Sequence, residues 1–459
     1  MRFGINARLI KDRGRVFNPA VIGAVLFALM PMSVSSPLLI ILLGAAIGML
    51  LISVFAPEDF NFLFAVFLAG LAIRASLALL FYYLSFVFVG DYSPGFLFQN
   101  DGWPYSQQGW AISKFAERGI KVTMDTFMRD PNMRVWGSSG NITSYDFFAS
   151  HVYGITGYSP VSLFFISGAA GSIACLFVYF IARRLFLSRG IARISACLAF
   201  FWPSFIMWST QNLKEPMIAM FTLMALCAIF YMNGRFFFPF LCLCLGSLYV
   251  LSQINFPVFM IVIGSICFSA LFLYLSRSMG SKKRALAVIF ICGALVFIFL
   301  KDYALAVIFK KSSYDITSYK SMFSFFQYHR SVRAYGNLQF FGDFDISNPF
   351  KAVLFAPIGF LYAAFAPFPW QLGSVMQIMA VPETIAFYFL FPKTARGIVF
   401  AYKNMFGRSV ILLTIIVMTL GFLALVEGNS GTLFRHRAVA FYLIFIFTAL
   451  GISLKKNEN

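Results

Sequence analysis

Residues 62–89 read FLFAVFLAGLAIRASLALLFYYLSFVFV, an apolar run whose one charged side chain is Arg74. The run exceeds the roughly 20 apolar residues that cross a bilayer as a helix. A charge near the middle of such a span normally faces the bundle interior and has a partner there. Because no acid lies on the same run, we expect the partner of Arg74 on another span, and Glu383 is one candidate. The stretch therefore predicts a membrane-spanning helix with a buried arginine.

The composition of the whole chain extends this prediction. Of 459 residues, 60% are hydrophobic and 12% are charged, whereas soluble domains hold roughly 45–50% apolar and 25% charged residues. We predict an all-α polytopic membrane protein with about twelve transmembrane helices, forming a single integral membrane domain over residues 1–459. The predicted spans are 19–34, 36–56, 62–89, 160–182, 191–209, 216–232, 236–252, 255–276, 285–300, 374–392, 409–426 and 438–454. The basic stretch before the first span lacks a small-residue cleavage site after it, which indicates an uncleaved span rather than a signal peptide.

Clusters of Lys and Arg orient the predicted spans, because such residues concentrate in cytoplasmic loops. Both ends of the chain are basic, so we expect both termini in the cytoplasm and an even number of spans. Counting the apolar stretch 351–369 as a span would give thirteen, so this proline-interrupted stretch is predicted to be re-entrant. Two polar segments, 90–159 and 301–350, then form a first and a second outer loop, and the second carries a surplus of bases.

The first candidate site lies just outside the third span, in the sequence NDGWPY of residues 100–105. It leads into residues 106–119, whose apolar stripe and charges predict a short amphipathic helix on the outer surface. An aspartate at the start of such a helix can act as a general base for a hydroxyl group. The alternative is that Asp101 caps the turn or the helix.

Two further segments carry charge at predicted outer turns. In the turn before the sixth span, Lys214 could bind an anion and Glu215 could assist it or serve as acid or base; the alternative is a local ion pair at a helix start. In the glycine-rich turn at 428–437, backbone N–H groups and the side chains of Arg435, His436 and Arg437 could hold a phosphate or pyrophosphate. Anchoring to lipid headgroups is the alternative for these arginines.

Several classes of function lack their sequence signals. No glycine-rich P-loop is present, which argues against an ATP-driven pump, and no clustered His, Cys or carboxylate pattern indicates a metal cage. The net charge of +19 is explained by topology and an anionic ligand, so no nucleic-acid partner is expected. The sequence requires no cofactor, metal ligands are assigned to no residue, and a divalent cation is left open.

Several motifs in the first half of the chain resemble those of a known protein family. DGWPY at 101–105 with GWA at 109–111, VYGITGYSP at 152–160, RRLF at 183–186 and the stretch from Pro203 to Glu215 are similar to the outer loops and following spans of bacterial GT-C superfamily glycosyltransferases. The resemblance covers roughly residues 60–235. This chain departs from the family pattern in two ways. Where the family usually has a pair of acidic residues, this chain has Asp101 followed by Gly102, and two extra spans precede this motif.

The resemblance implies an inverting transferase at the outer face of the bacterial cytoplasmic membrane. The donor would be a polyprenyl-phosphate-linked sugar and the acceptor a hydroxyl of a glycan or lipid, with membrane lipids around the bundle. It implies that Asp101 is the base, followed by Tyr105 in the substrate site, and that Lys214 holds the donor phosphate. The participation of Arg435 or Arg437 rests on the charge argument above.

Two alternatives remain open at the sequence level. An O-antigen-type repeat-unit polymerase also has about a dozen spans, a large outer loop and outer arginines, and the basic loop 301–350 suits it. A lipid-linked-sugar flippase or transporter would use Arg74 and Glu383 to line a path through the membrane. The sequence lacks the internal repeats that many transporters have.

Overall fold

The structure is a computed structural model that describes residues 36–89, 95–98, 101–120, 142–281, 319–333, 344–370 and 375–456, with a few isolated positions between them. Helices make up 86% of it, and the described ranges contain no strand, so the all-α prediction is confirmed. The chain divides into two compact units, Met1–Phe256 and Pro257–Asn459.

Unit 1 contains nine α-helices within its described residues. They are α1 (Pro37–Phe55), α2 (Phe60–Phe88), α3 (Gly102–Glu117), α4 (Ser144–Thr156), α5 (Pro160–Phe186), α6 (Arg189–Phe201), α7 (Pro203–Ser209), α8 (Glu215–Tyr231) and α9 (Phe237–Ile254). A short 3-10 helix, Pro57–Asp59, precedes α2.

Seven further α-helices are described from Phe256, at the boundary between the units, onward. They are α10 (Phe256–Ser278), α11 (Tyr319–Arg333), α12 (Pro349–Phe365), α13 (Val375–Asn404), α14 (Phe406–Val426), α15 (Ser430–His436) and α16 (Ala438–Lys456). The predicted span 19–34, and almost all of 285–300, lie outside the described residues.

Six described helices are long and apolar enough to cross a membrane, and eight result if each of two bent pairs counts as one span. The six are Pro37–Phe55, Pro57–Phe88, Pro160–Phe186, Phe237–Ile254, Phe256–Ser278 and Phe406–Val426. The protein is therefore a membrane protein with several transmembrane helices. A total of twelve spans and the cytoplasmic placement of both termini stay predictions.

Helix α5 forms the centre of unit 1. It packs against α1, α2, α6, α7 and α8. In its most apolar stretch of 18 residues, 89% of the residues are buried. A helix that is apolar on all sides is stable only when it is surrounded. Small residues allow the close approach: a Cβ at Gly44 would lie 2.8 Å from the Cβ of Ala169, and one at Gly171 would lie 2.7 Å from the Cβ of Ser209.

The predicted span 191–209 is broken in the structure. Helices α6 and α7 meet at a bend of 54° around Trp202. Pro203 causes the break, since it has no N–H to continue the ladder of α6 and its ring suits the first position of a new helix. The bend directs the chain toward the turn that carries Lys214.

One end of unit 1 is lined by ion pairs. Arg193 Nη2 lies 2.6 Å from Asp59 Oδ1, and Arg183 Nε lies 3.5 Å from Glu58 Oε1. The hydroxyl of Tyr179 also donates to Asp59. Arg183 and Arg193 therefore hold α5 and α6 to the short 3-10 helix that precedes α2, at the end opposite the candidate site.

In unit 2, α13 and α16 cross at very short range. A Cβ at Gly397 would overlap the backbone of Phe447, and one at Gly451 would overlap the carbonyl of Lys393. Helix α13 runs on from the predicted span 374–392 to Asn404, about three turns beyond the predicted end of the span. Residues 351–365 of the predicted re-entrant segment lie in α12, which continues as one helix through Pro357. Its re-entrant character stays a prediction.

Candidate functional site

Asp101 stands at the N-cap position of α3. Its carbonyl accepts from the backbone N–H of Tyr105 at 3.1 Å, which closes the first turn. Its side chain makes no capping hydrogen bond to that turn. The carboxylate therefore does not cap this helix, and Asp101 is half-buried at its start.

The turn from Thr210 to Lys214 lies directly against the start of α3. The Asn212 Nδ2 group donates to the carbonyl oxygen of Gly102 at 2.8 Å, and Asn212 Oδ1 accepts from the hydroxyl of Tyr145 at 2.9 Å. Asn212 is fully buried, so this joint is shielded from water. It brings together two segments more than one hundred residues apart in sequence, each predicted to contribute to the site.

Lys214 faces the aromatic ring of Tyr105. Its Nζ lies 5.6 Å from the ring centroid, within the range of a cation–π interaction. Lys214 has no carboxylate within ion-pair distance among the described residues, so the predicted local pair with Glu215 is not formed. The ammonium group therefore lies over Tyr105, which is one turn after Asp101 on α3, and its charge also acts on Asp146.

Glu215 begins α8 directly after Lys214 and is 7% exposed. Tyr105 and Tyr145 stack edge to face above this region with centroids 5.1 Å apart. The hydroxyl of Tyr145 also lies 3.4 Å from the carbonyl of Leu213. Asp101, Tyr105, Lys214 and Glu215 thus belong to one neighbourhood of unit 1.

Asp146 is a member of this neighbourhood that the sequence reasoning missed. It is fully buried on the first turn of α4, where its Oδ2 accepts from the backbone and hydroxyl of Thr143. Its Oδ1 has no hydrogen-bond partner among the described residues. Burial raises the pKa of Asp146 to about 6, against the lowering effects of Thr143 and the charge of Lys214.

The spacing of Thr143 and Asp146 is the signal that could have placed Asp146. A Thr followed three residues later by an acid is a capping box, and the structure contains this reciprocal pair. The capping box predicts the start of α4. It does not predict that the carboxylate is buried beside Lys214, because that depends on contacts between α4 and a turn far along the chain.

Arg74 is fully buried, as predicted, but its partners differ from the expectation. Its guanidinium donates to Ser209 Oγ at 2.8 Å, to the carbonyls of Gly70 and Phe200 at 3.0 and 3.2 Å, and its Nη2 lies 3.8 Å from Cys175 Sγ. All of these are neutral groups of unit 1. The acidic partner that we expected is absent among the described residues of this unit.

The glycine-rich turn of unit 2 uses its backbone differently from the prediction. The Asn429 side chain accepts from the backbone N–H groups of Gly431 and Thr432 at 2.8 and 3.3 Å. Two of the N–H groups proposed for a phosphate are thus satisfied by a helix cap.

Arg437 points into the core of unit 2. Its Nη1 donates to the carbonyls of Ala363, Ala364 and Ala366 at the end of α12, the last at 2.5 Å. Its guanidinium also lies 4.4 Å from the rings of Phe434 and Phe441. Glu383, the candidate partner of Arg74, belongs to this unit and acts electrostatically on Arg437. These contacts give Arg437 a structural role within unit 2.

His436 pairs with a carboxylate. Its Nδ1 lies 2.7 Å from Glu427 Oε1, and Glu427 is 1% exposed. Arg330, from the predicted second outer loop, donates to the carbonyl of Glu427 at 3.1 Å. Arg330 and Glu427 were not singled out by the sequence, where they read as one base and one acid of outer loops. Arg435 and His436 are both half-buried.

Within the described residues, no group of three or more His, Cys, Asp or Glu side chains is arranged to hold a metal ion.

The site residues predicted from the sequence form two sets, one in each unit. Asp101, Tyr105, Lys214 and Glu215 are neighbours in unit 1, and Arg435, His436 and Arg437 follow one another on and after α15 in unit 2.

Comparison with known proteins finds no matching family model, no matching curated protein and no matching solved structure.

Proposed function

We propose that the protein is a membrane glycosyltransferase that moves a sugar from a polyprenyl-phosphate-type lipid donor to a hydroxyl of a glycan or lipid acceptor. The reaction would take place at the outer face of the bacterial cytoplasmic membrane. The observation that carries the proposal is the buried bond from Asn212 to the Gly102 carbonyl. It joins the start of α3, which carries the candidate base Asp101, to the turn that carries Lys214, and this supports the arrangement that the GT-C resemblance implies.

The proposed chemistry assigns one step to each group. The Asp101 carboxylate accepts the proton of the acceptor hydroxyl as its oxygen forms a bond to the anomeric carbon. The bond from that carbon to the phosphate oxygen breaks, and its electron pair leaves with the lipid phosphate. Lys214 stabilises the charge that develops on the phosphate, and the anomeric centre is inverted. Asp101 then loses its proton to water.

A single substitution tests the role of the base. Asp101→Asn keeps the size of the side chain but removes its basicity, so we expect product formation to fall by at least about 10²-fold, in the range of general-base catalysis. Transfer is measured with purified protein and a radiolabelled polyprenyl-phosphate sugar. The matched control is Glu117→Gln, since Glu117 is an exposed acid of the same helix whose ion-pair partner in the described part of the chain is Lys114. Full activity of Asp101→Asn would remove Asp101 as the base.

One observation favours the repeat-unit polymerase as a second candidate. Arg330, from the basic segment 301–350, lies against Glu427 beside His436, and such a cluster suits a lipid pyrophosphate. Analysis of lipid-linked glycans in a deletion strain separates the two. Loss of one sugar from the glycan supports the transferase, whereas accumulation of single repeat units supports the polymerase.

A further inference from the structure

Arg74 is a buried cation whose partners are all neutral. Burial of a guanidinium without a carboxylate is unfavourable, and an apolar side chain of similar volume would pack at lower cost. The contacts of Arg74 therefore need an explanation other than stability. Three separate helices contribute them besides α2 itself: α5 through Cys175, α6 through Phe200 and α7 through Ser209.

Two of these contacts lie on either side of the break in the span. Phe200 is next to the last residue of α6, where carbonyls lose their helical partners, and Arg74 Nη1 donates to its carbonyl. Ser209 is the last residue of α7, and its hydroxyl accepts from Arg74 Nε. The rigid fork of one arginine thus spans the bend from one helix to the next, which a lysine cannot do.

The α7 end of this contact leads directly to the candidate site. Thr210, Gln211, Asn212 and Leu213 follow Ser209, and all four are buried. Asn212 is bonded to Gly102 and Tyr145, and Lys214 lies over Tyr105. A shift of Ser209 would therefore move the turn that presents Lys214.

The packing around Arg74 leaves little room for such a shift. A Cβ at Gly171 would lie 2.7 Å from the Cβ of Ser209 and 3.5 Å from Arg74 Nε. A Cβ at Gly168 would lie 3.6 Å from the carbonyl oxygen of Ser209. Helix α5 thus contacts both Ser209 and Arg74 closely at the two glycines Gly168 and Gly171.

We propose that Arg74 is a positioning residue for Lys214: it fixes the bend between α6 and α7 and so holds the turn Thr210–Lys214 against α3. This inference rests on the proposed function insofar as Lys214 binds the donor phosphate. The position of the turn itself is independent of the substrate, and the two parts are tested separately.

Ser209→Ala removes the acceptor for Arg74 Nε and leaves the other contacts of Arg74 in place. Arg74→Lys keeps the charge and removes the fork. The control is Ser195→Ala, because Ser195 is a buried serine of α6 whose hydroxyl bonds to the carbonyl of Ile191 in its own helix. The readout is hydrogen exchange followed by mass spectrometry on the purified full-length protein.

A hydrogen bond to a charged group contributes enough to change a local opening equilibrium by about tenfold or more. We therefore expect amides 210–215 to exchange at least about tenfold faster in both test variants, with α5 and the control unchanged. Unchanged exchange at 210–215, or equal acceleration throughout α5, would overturn the positioning role.

The kinetic arm uses a polyprenyl-phosphate sugar as the probe. If Lys214 binds its phosphate, KM for this donor should rise about five- to tenfold in Ser209→Ala while kcat stays within about twofold. An unchanged KM together with local acceleration of exchange would refute the link to donor binding. Absence of transfer by the unaltered protein would overturn the proposed function, and the exchange result would still decide the role of Arg74.

Discussion

Arg74 and Asp146 are two buried charged side chains of unit 1 whose polar atoms are satisfied to different degrees. A guanidinium has five N–H donors and no acceptor, so Arg74 requires acceptors on every side. A carboxyl group can take up a proton when burial disfavours its charge. Asp146 has two bonds to one oxygen and none from described residues to the other, so its protonation is the feature that pH can change.

Asp146→Asn should stabilise the protein in a pH-dependent way. The raised pKa of about 6 in the folded state compares with an ordinary value of 3.8. Between about pH 4 and 6 the folded protein binds the proton and the unfolded chain releases it, so the stability of the unaltered protein falls as pH rises through this window. Above pH 6 the cost of the buried charge is fully present. The asparagine oxygen still accepts from Thr143, and it carries no charge at any pH.

We expect the free energy of unfolding of Asp146→Asn to exceed that of the unaltered protein by up to about 3 kcal/mol at pH 7.5, since one pKa unit corresponds to about 1.4 kcal/mol. The difference should narrow to about 1 kcal/mol at pH 4.5. Thermal unfolding in detergent at both pH values measures it, with Glu117→Gln as the control. A difference that is the same at both pH values would contradict the assignment.

Sequence reasoning selects candidate site residues whose type is unusual for their location. It misses residues whose role depends on how helices pack. Asp101 and Lys214 stand out because charges at the ends of apolar runs are rare. Asp146 is an ordinary acid of a near-neutral loop until α4 is placed against the turn of Lys214. The partners of Arg74 were equally hidden, because a backbone carbonyl is freed only where a helix breaks.

At the level of elements, the close packing of α3 on α4 positions the start of the site. Gly109 lies at their contact, where a Cβ would be 2.6 Å from the Cβ of Ala149 and 3.2 Å from the backbone nitrogen of Ser150. Neither atom belongs to a flexible side chain that could move aside. The two helices therefore require a residue without a side chain at this position.

Gly109→Ala should accordingly destabilise the protein by about 1–3 kcal/mol, the cost of overpacking, although alanine favours a helix more than glycine does. The control is Gly154→Ala in α4, where a Cβ would meet no atom within 4 Å. This second change should be neutral or stabilising by up to about 1 kcal/mol. Thermal unfolding and transferase activity are compared for both variants. Equal stability of the two variants would mean that the helices can separate without cost.

The break in the span at 191–209 was present in the sequence as Pro203 but was not predicted. A proline within an apolar run ends or kinks a helix at the residue before it. Hydropathy alone cannot distinguish a straight span from a bent pair, because both have the same composition. The bend matters for the site, since it leads from Arg74 to Lys214.

For the whole molecule, the net charge of +19 has more than one origin. Arg183 and Arg193 pair with Glu58 and Asp59 at one end of unit 1. Asp101 and Lys214 lie at the other end of the same helices, near the start of α5. If the positive-inside rule holds, the ion-paired end is cytoplasmic and the candidate site faces outward.

This orientation can be measured in each unit separately with single cysteines in a background free of the native ones. In unit 1, Ile155→Cys and Gly190→Cys lie beyond opposite ends of α5, and both positions are exposed. In unit 2, Thr432→Cys and Asn404→Cys lie beyond opposite ends of α14, where Asn404 is exposed and Thr432 is half-buried. We expect a membrane-impermeant maleimide to label positions 155 and 432 once the outer envelope is permeabilised, and 190 and 404 only after the cytoplasmic membrane is opened. A polyprenyl-linked donor at the outer face requires that outcome for unit 1, because Asp101 and Lys214 lie at the same end as Ile155. The reverse pattern in unit 1 would place the candidate site in the cytoplasm and exclude a transferase of the outer face.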